Sequence, residues 1–136
     1  MSTRCRIGMV VFRDKDYEII KSVCCHHDGY PSHVGQILYD QYLSKEKVAV
    51  LLGGGEVSTL YVDGPVTYVD KGEPYEENKP RIALSREDFW ATGHGCDAEY
   101  LYLFTEEGKW EIYVVCGGCS DGRWRPLSDV LKEGRR

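Results

Sequence analysis

The chain has 136 residues, of which 42% are hydrophobic and 29% are charged, and its formal net charge at pH 7 is -5. This length fits one ordinary domain spanning residues 1–136, with a core large enough to fold without disulfide or metal support. An acidic protein lacks the attraction for phosphate on which generic nucleic-acid binding depends, and an anionic membrane surface is disfavoured for the same reason.

Neither a signal peptide nor a membrane span is predicted. The apolar run after Ile7 is short and is broken by Arg13, and no stretch approaches the roughly 20 apolar residues that cross a bilayer. We therefore expect a cytoplasmic protein without a membrane partner. Its six cysteines are expected to be reduced thiols and not a disulfide framework.

Two strands are predicted at the start of the chain. Residues 5–12 alternate with apolar side chains on both sides, which is typical of a strand at least partly buried on both faces. After a polar turn, residues 17–27 form a second strand in which Ile20, Cys24 and His26 share one face. The two strands are predicted to pair as a hairpin.

Two helices are predicted next. Pro31 fits the first turn of a helix, because its missing N–H costs nothing there. Ser44 is expected to cap a second, short helix that runs to Leu52 and ends at the glycines of residues 53–55. An apolar stripe at helical spacing marks the first helix: Val34, Ile37, Leu38 and Tyr42.

The second half of the chain predicts two hairpins, a loop and two short helices. The hairpins are residues 60–69, around a Gly-Pro turn, and residues 98–115. Residues 71–80 are expected to be an exposed loop. Ser85 is expected to cap one helix, and a last helix begins near Ser128. We therefore predict an α+β fold: one domain with a mainly antiparallel sheet and two to four short helices packed on one of its faces.

Four motifs recur in one family of small proteins. They are STR at residues 2–4 with IG at 7–8, HHDGYP at 26–31 with VG at 34–35, AEYLY at 98–102, and GKW at 108–110. In order and spacing they resemble a family common in bacteriophages, prophages and bacteria. The resemblance implies a phage-type accessory protein that acts on host machinery or host defence in the host cytoplasm.

The corner between the second strand and the first helix is the leading candidate ligand site. Free N–H groups at such a corner favour an anion, and His27, Asp28 and Tyr30 supply polar groups there, with Arg4 within reach if the first strands pair. These residues would hold a nucleotide-like small molecule, and a host protein is the other expected partner. Turn and capping chemistry explains the same residue types without a ligand.

A zinc site is the second candidate. Cys116 and Cys119 have the Cys-x-x-Cys spacing with which two thiolates chelate one ion from a turn. Such an ion would make the protein a zinc-stabilised interaction module; otherwise the cysteines are buried small hydrophobes and turn residues. The remaining ligands would come from a further set: Cys24, Cys25, His26, His27 or Cys96.

Catalysis has weaker support than binding. Cys25 and His27 share a strand face, but strand geometry places their Cβ atoms about 7 Å apart, too far for a nucleophile–base hydrogen bond. We therefore predict a binding protein without a cofactor and keep a small hydrolase or transferase as an alternative. Aromatic residues on the last two strands, Tyr100, Tyr102 and Trp110, suggest either a stacking surface or a homo-oligomer interface.

Overall fold

One mixed β-sheet organises the computed structural model, which describes residues 3–115 and 122–134. Its strands in those ranges are β1 (Cys5–Arg13), β2 (Glu18–His27), β3 (Val57–Tyr61), β4 (Gly64–Thr67), β5 (Arg81–Ala83), β6 (Tyr100–Phe104), β7 (Trp110–Val114) and β8 (Trp124–Pro126). The order across the sheet is β4-β3-β2-β1-β6-β7-β8, and β5 pairs with β2. Pairing is antiparallel except between β1 and β6 and between β2 and β3.

Four α-helices accompany the sheet in the described residues. They are α1 (Gln36–Gln41), α2 (Lys45–Gly53), α3 (Arg86–Gly95) and α4 (Leu127–Lys132). A π-helical turn at Pro31–Gly35 leads into α1, and a 3-10 turn covers Tyr75–Glu77. None of these helices has the length and apolar character needed to span a membrane. The predicted α+β class with a mainly antiparallel sheet is confirmed.

The helices lie on both faces of the sheet, whereas the prediction placed all of them on one face. The helix that departs from the prediction is α3. On the first face α1, α2 and α4 cover the main core, which includes Ile7, Leu38 and Leu52. On the second face Phe89 of α3 packs in a smaller cluster with Val10. The reason is that β1 and β2 carry apolar side chains on both sides, so a helix on one face would leave the other exposed.

Serine side chains cap the first turns of two helices. The hydroxyl of Ser44 accepts a hydrogen bond from the N–H of Lys47 at the start of α2, and Ser85 does the same for Asp88 at the start of α3. Both caps are as predicted. The predicted hairpins of β1 with β2 and of β6 with β7 are also confirmed.

The aromatic residues of the last two strands are core residues. Tyr100, Tyr102 and Trp110 are buried within the main core beneath the helices. In that position they do not form the exposed stacking or oligomer surface that their spacing suggested. Their aromatic rings are buried by packing against the helices of the same chain.

Candidate metal centre

The turn between β2 and the π-helical segment is tightly packed. Asp28 adopts a left-handed conformation with φ 57°. Gly29 donates a 2.8 Å hydrogen bond to the carbonyl of Thr3, and its own carbonyl accepts a 2.8 Å hydrogen bond from the buried hydroxyl of Tyr102. A Cβ atom on Gly29 would lie 2.8 Å from the Cβ of Cys5. The Asp-Gly pair therefore serves this close approach of the turn to β1.

The predicted ligand residues are only partly brought together. His27 places its Nδ1 atom 2.9 Å from the carbonyl of Ser58, and Tyr30 packs against the main core. The Arg4 guanidinium lies 3.7 Å from the carboxylate of Asp97, just after α3. Binding of a nucleotide-like molecule or a host protein at the corner stays a prediction.

Cys116 and Cys119 lie outside the described residues, which are 3–115 and 122–134. The zinc prediction that rests on their spacing is therefore still a prediction. Cys5, Cys24, Cys25 and Cys96 are the cysteines that the structure describes, and all four are free thiols.

A metal-ligand cluster lies on the second face of the sheet. The ligand atoms of Cys24, His26 and Glu56 all lie within 4.8 Å of one another. Cys24 and His26 are alternate residues of β2, so their side chains share one face. The parallel pairing of β2 with β3 sets Cys25 opposite Val57, which brings Glu56 beside Cys24. Two sheet neighbours thus supply a thiol, an imidazole and a carboxylate.

Each oxygen of the Glu56 carboxylate has a partner on β2. Oε2 accepts a 2.8 Å hydrogen bond from the backbone N–H of Cys24, and Oε1 lies 3.7 Å from Nε2 of His26. Burial acts to raise the pKa of Glu56, but the contacts with His26 and Cys24 and the charge of Arg6 outweigh it and lower that pKa. The carboxylate is therefore ionised and pre-oriented beside the imidazole.

Cys96, directly after α3, lies beside Cys24. Gly93 lets the helix approach β6 closely, since a Cβ there would lie 2.4 Å from a methyl carbon of Leu101. The Cys96 N–H then donates to the Gly93 carbonyl over 3.1 Å, which turns the chain beside Cys24. A hydrogen bond from Cys24 lowers the pKa of Cys96 to about 6 against the opposing effect of burial, and the charge of Arg6 adds to the lowering.

The two thiols act as one acid–base pair. The hydrogen bond to Cys96, together with burial, raises the pKa of Cys24. Cys96 is therefore the more acidic thiol of the pair, and the shared proton favours Cys24. Cys24 must therefore lose this proton before its sulfur can bind a metal ion, and binding of the ion drives that loss.

Arg6 places a buried positive charge next to the thiols. Its side chain is only 2% exposed, and it lies opposite Cys24 in the pairing of β1 with β2. Nε donates a 2.8 Å hydrogen bond to the hydroxyl of Ser22, and Nη1 lies 3.9 Å from the sulfur of Cys96. A buried guanidinium costs free energy unless it is paired, and the Cys96 thiolate and the Glu56 carboxylate supply the opposite charge here.

A cavity of about 310 Å³ opens beside the cluster. Arg6, Glu56 and Cys96 form the wall that it shares with the cluster, and Arg81 and Thr92 line the rest. Glu56 is thus the residue of the cluster that a small molecule in this cavity would contact.

No protein-family model, curated protein or solved structure matches the chain. The resemblance to the phage and bacterial family stays a prediction. Of the residues named above as zinc candidates, Cys24 and His26 meet in space, and Cys96 contacts Cys24. Glu56 and Arg6 carry no sequence signal of a site, apart from their places beside β2.

Proposed function

We propose that this protein binds a zinc ion through Cys24, His26 and Glu56. The observation that carries this proposal is the convergence of one sulfur, one imidazole nitrogen and one carboxylate oxygen within 4.8 Å of one another. Zinc commonly binds sulfur, nitrogen and oxygen ligands together, whereas magnesium and calcium prefer oxygen ligands alone.

The separation of the ligand atoms fits such an ion. Zinc bonds of about 2.0 to 2.3 Å in tetrahedral geometry place neighbouring ligand atoms about 3.3 to 3.8 Å apart. Nε2 of His26 and Oε1 of Glu56 are already 3.7 Å apart. Cys24 and His26 are alternate residues of the strand β2, so both side chains project toward the ion from the same face.

Features around the cluster support the same proposal. The N–H of Cys24 holds the second oxygen of Glu56, which is the kind of outer contact that orients a metal ligand. The sulfur of Cys96 sits against Cys24 and the cavity. Three protein ligands would leave a fourth position open on this side. Binding is thus the proposed activity, without a chemical step.

Cobalt substitution tests the proposal directly. The full chain, reduced and freed of metal with a chelator, is titrated with Co²⁺ and then with Zn²⁺ while its absorption is recorded. We expect a sulfur-to-cobalt charge-transfer band that zinc abolishes. Cys24→Ser is expected to remove that band and to weaken cobalt binding about tenfold or more.

Two controls locate the ion. Cys25→Ala changes the next residue of β2, whose side chain lies in the main core on the other face, and it is expected to keep the band. The double change Cys116→Ser with Cys119→Ser is also expected to keep it. The proposal is wrong if the wild-type protein gives no band, or if the band survives Cys24→Ser and disappears in the double variant.

A further inference from the structure

The cavity beside the cluster is lined by two positively charged side chains. Arg6 and Arg81 both line it. Arg81 lies opposite Ser22 in the pairing of β5 with β2, and Ser22 is the residue that accepts from Arg6. Arg6 itself lies opposite Cys24, so the two arginines flank neighbouring positions of β2 on the same face of the sheet.

Both guanidinium groups have donors to spare. Arg6 uses Nε and Nη2 on Ser22 and Nη1 on the sulfur of Cys96, which leaves two of its five N–H groups. Within residues 3–115 and 122–134, neither Arg6 nor Arg81 has a carboxylate oxygen within 4.0 Å. Arginine presents its N–H groups in a planar fork that matches carboxylate and phosphate oxygens.

We propose that this cavity binds the anionic group of a small molecule, a carboxylate or a phosphate, between the zinc ion and the guanidinium groups of Arg6 and Arg81. The inference rests on the proposed metal centre, because the ion supplies the open coordination position. Glu56, a proposed ligand, and Cys96, which contacts Cys24, both line the cavity, so an open position on that side of the ion would face it.

Charge balance makes the binding depend on the ion. The Cys24 thiolate and the Glu56 carboxylate would balance a divalent ion, so the two arginines keep an excess of positive charge even when Cys96 is a thiolate. Without the ion, the Glu56 carboxylate on the cavity wall opposes the arginines. An anion therefore gains a bond to the metal, and meets a more positive cavity, only in the metal-loaded protein.

The size of the cavity limits the ligand. About 310 Å³ lies at the lower end of small-molecule sites, which span roughly 300 to 1,000 Å³. The cavity therefore admits one anionic group with a short organic part. Carboxylate and phosphate share the required chemistry, and the experiment below separates them.

The test uses the cobalt-loaded full chain titrated separately with acetate and with methyl phosphate at constant ionic strength. We expect at least one probe to shift the visible cobalt bands saturably, and the responding probe identifies the anion class. Arg81→Ala is expected to weaken that probe about fivefold or more while it leaves the cobalt affinity unchanged. Lys132→Ala, the same charge change on an exposed residue of α4, is expected to change neither.

The outcomes separate this inference from the proposed function. Failure of the wild-type protein to bind cobalt would remove both. Cobalt binding with bands that respond to neither probe, or equally to chloride, would overturn the anion site and leave the metal centre. A loss of cobalt affinity in Cys96→Ser would show that Cys96 closes the fourth position, which also overturns the anion site.

Discussion

His26 places its Nε2 atom 3.7 Å from Oε1 of Glu56, across the parallel pairing of β2 with β3. The carboxylate is also held by the backbone N–H of Cys24. This contact brings an imidazole at the end of one strand to a residue that precedes another, with two helices between them in the chain. The proposed metal centre therefore depends on the tertiary fold and not on a contiguous motif.

Adjacent histidines should differ in their importance for zinc. His26→Ala removes a proposed ligand and is expected to weaken zinc binding about tenfold or more, measured by competition with a chromophoric chelator. His27→Ala is the matched control, because its ring contacts the carbonyl of Ser58 and no ligand of the cluster. Equal losses in the two variants would contradict the assignment of His26.

Zinc should stabilise the fold by mass action. An ion present at about 100 times its dissociation constant adds about 2.7 kcal/mol to the free energy of unfolding. For a domain of this size that corresponds to a rise of roughly 10 °C in the thermal midpoint, which circular dichroism records with and without a chelator. Glu56→Gln should show a much smaller zinc-dependent rise. A rise of the same size in this variant would remove Glu56 from the ligand set.

Alternation within one strand predicted part of this centre. The shared face of Cys24 and His26 follows from the two-residue period of β2, and the structure confirms it. The zinc prediction rested on the Cys-x-x-Cys motif instead, because its spacing can be read from the sequence. Contacts between residues far apart in the chain cannot be read in that way. Glu56 comes from the parallel pairing of β2 with β3, for which no local pattern exists.

Helix caps and the two longest hairpins were predicted for a similar reason, since the residues that decide them are neighbours in the chain. The parallel pairing of β1 with β6 and the short strands β5 and β8 were not predicted. A strand of three residues is too short for alternation to be recognised. Parallel pairing depends on the global path of the chain, and so did the position of α3 on the second face.

Cys96 should be the most reactive of the described cysteines. It is partly exposed on the cavity, whereas Cys5, Cys24 and Cys25 are buried. In metal-free protein near neutral pH we expect iodoacetamide to modify Cys96 first, as peptide mass spectrometry would show. Cys24→Ala removes the hydrogen bond that lowers the pKa of Cys96, so alkylation at pH 6.5 should slow several-fold. An unchanged rate would show that the thiol pair does not control this reactivity.

The hydroxyl of Tyr102 should contribute to stability through the turn after β2. It donates a buried 2.8 Å hydrogen bond to the carbonyl of Gly29. Tyr102→Phe leaves that carbonyl without this donor and is expected to lower the free energy of unfolding by about 1 to 3 kcal/mol, measured by urea denaturation. Tyr113→Phe is the control, because Tyr113 packs edge-on against Trp124 through its ring. It should change the stability by less than about 0.5 kcal/mol.

Gly29 should be intolerant of a single added methyl group. A Cβ there would lie 2.8 Å from the Cβ and 2.9 Å from the backbone nitrogen of Cys5, so the turn would have to move away from β1. We expect Gly29→Ala to lower the free energy of unfolding by about 1 to 3 kcal/mol. Gly53→Ala is the matched control, because no atom lies within 4 Å of a Cβ at the last residue of α2. Alanine should be neutral there or stabilising by up to about 1 kcal/mol. If urea denaturation gave equal effects for the two variants, the close approach of the Asp-Gly turn to β1 would not limit the residue at position 29, and the motif would need a different explanation, with ligand binding at the corner as the next one to test.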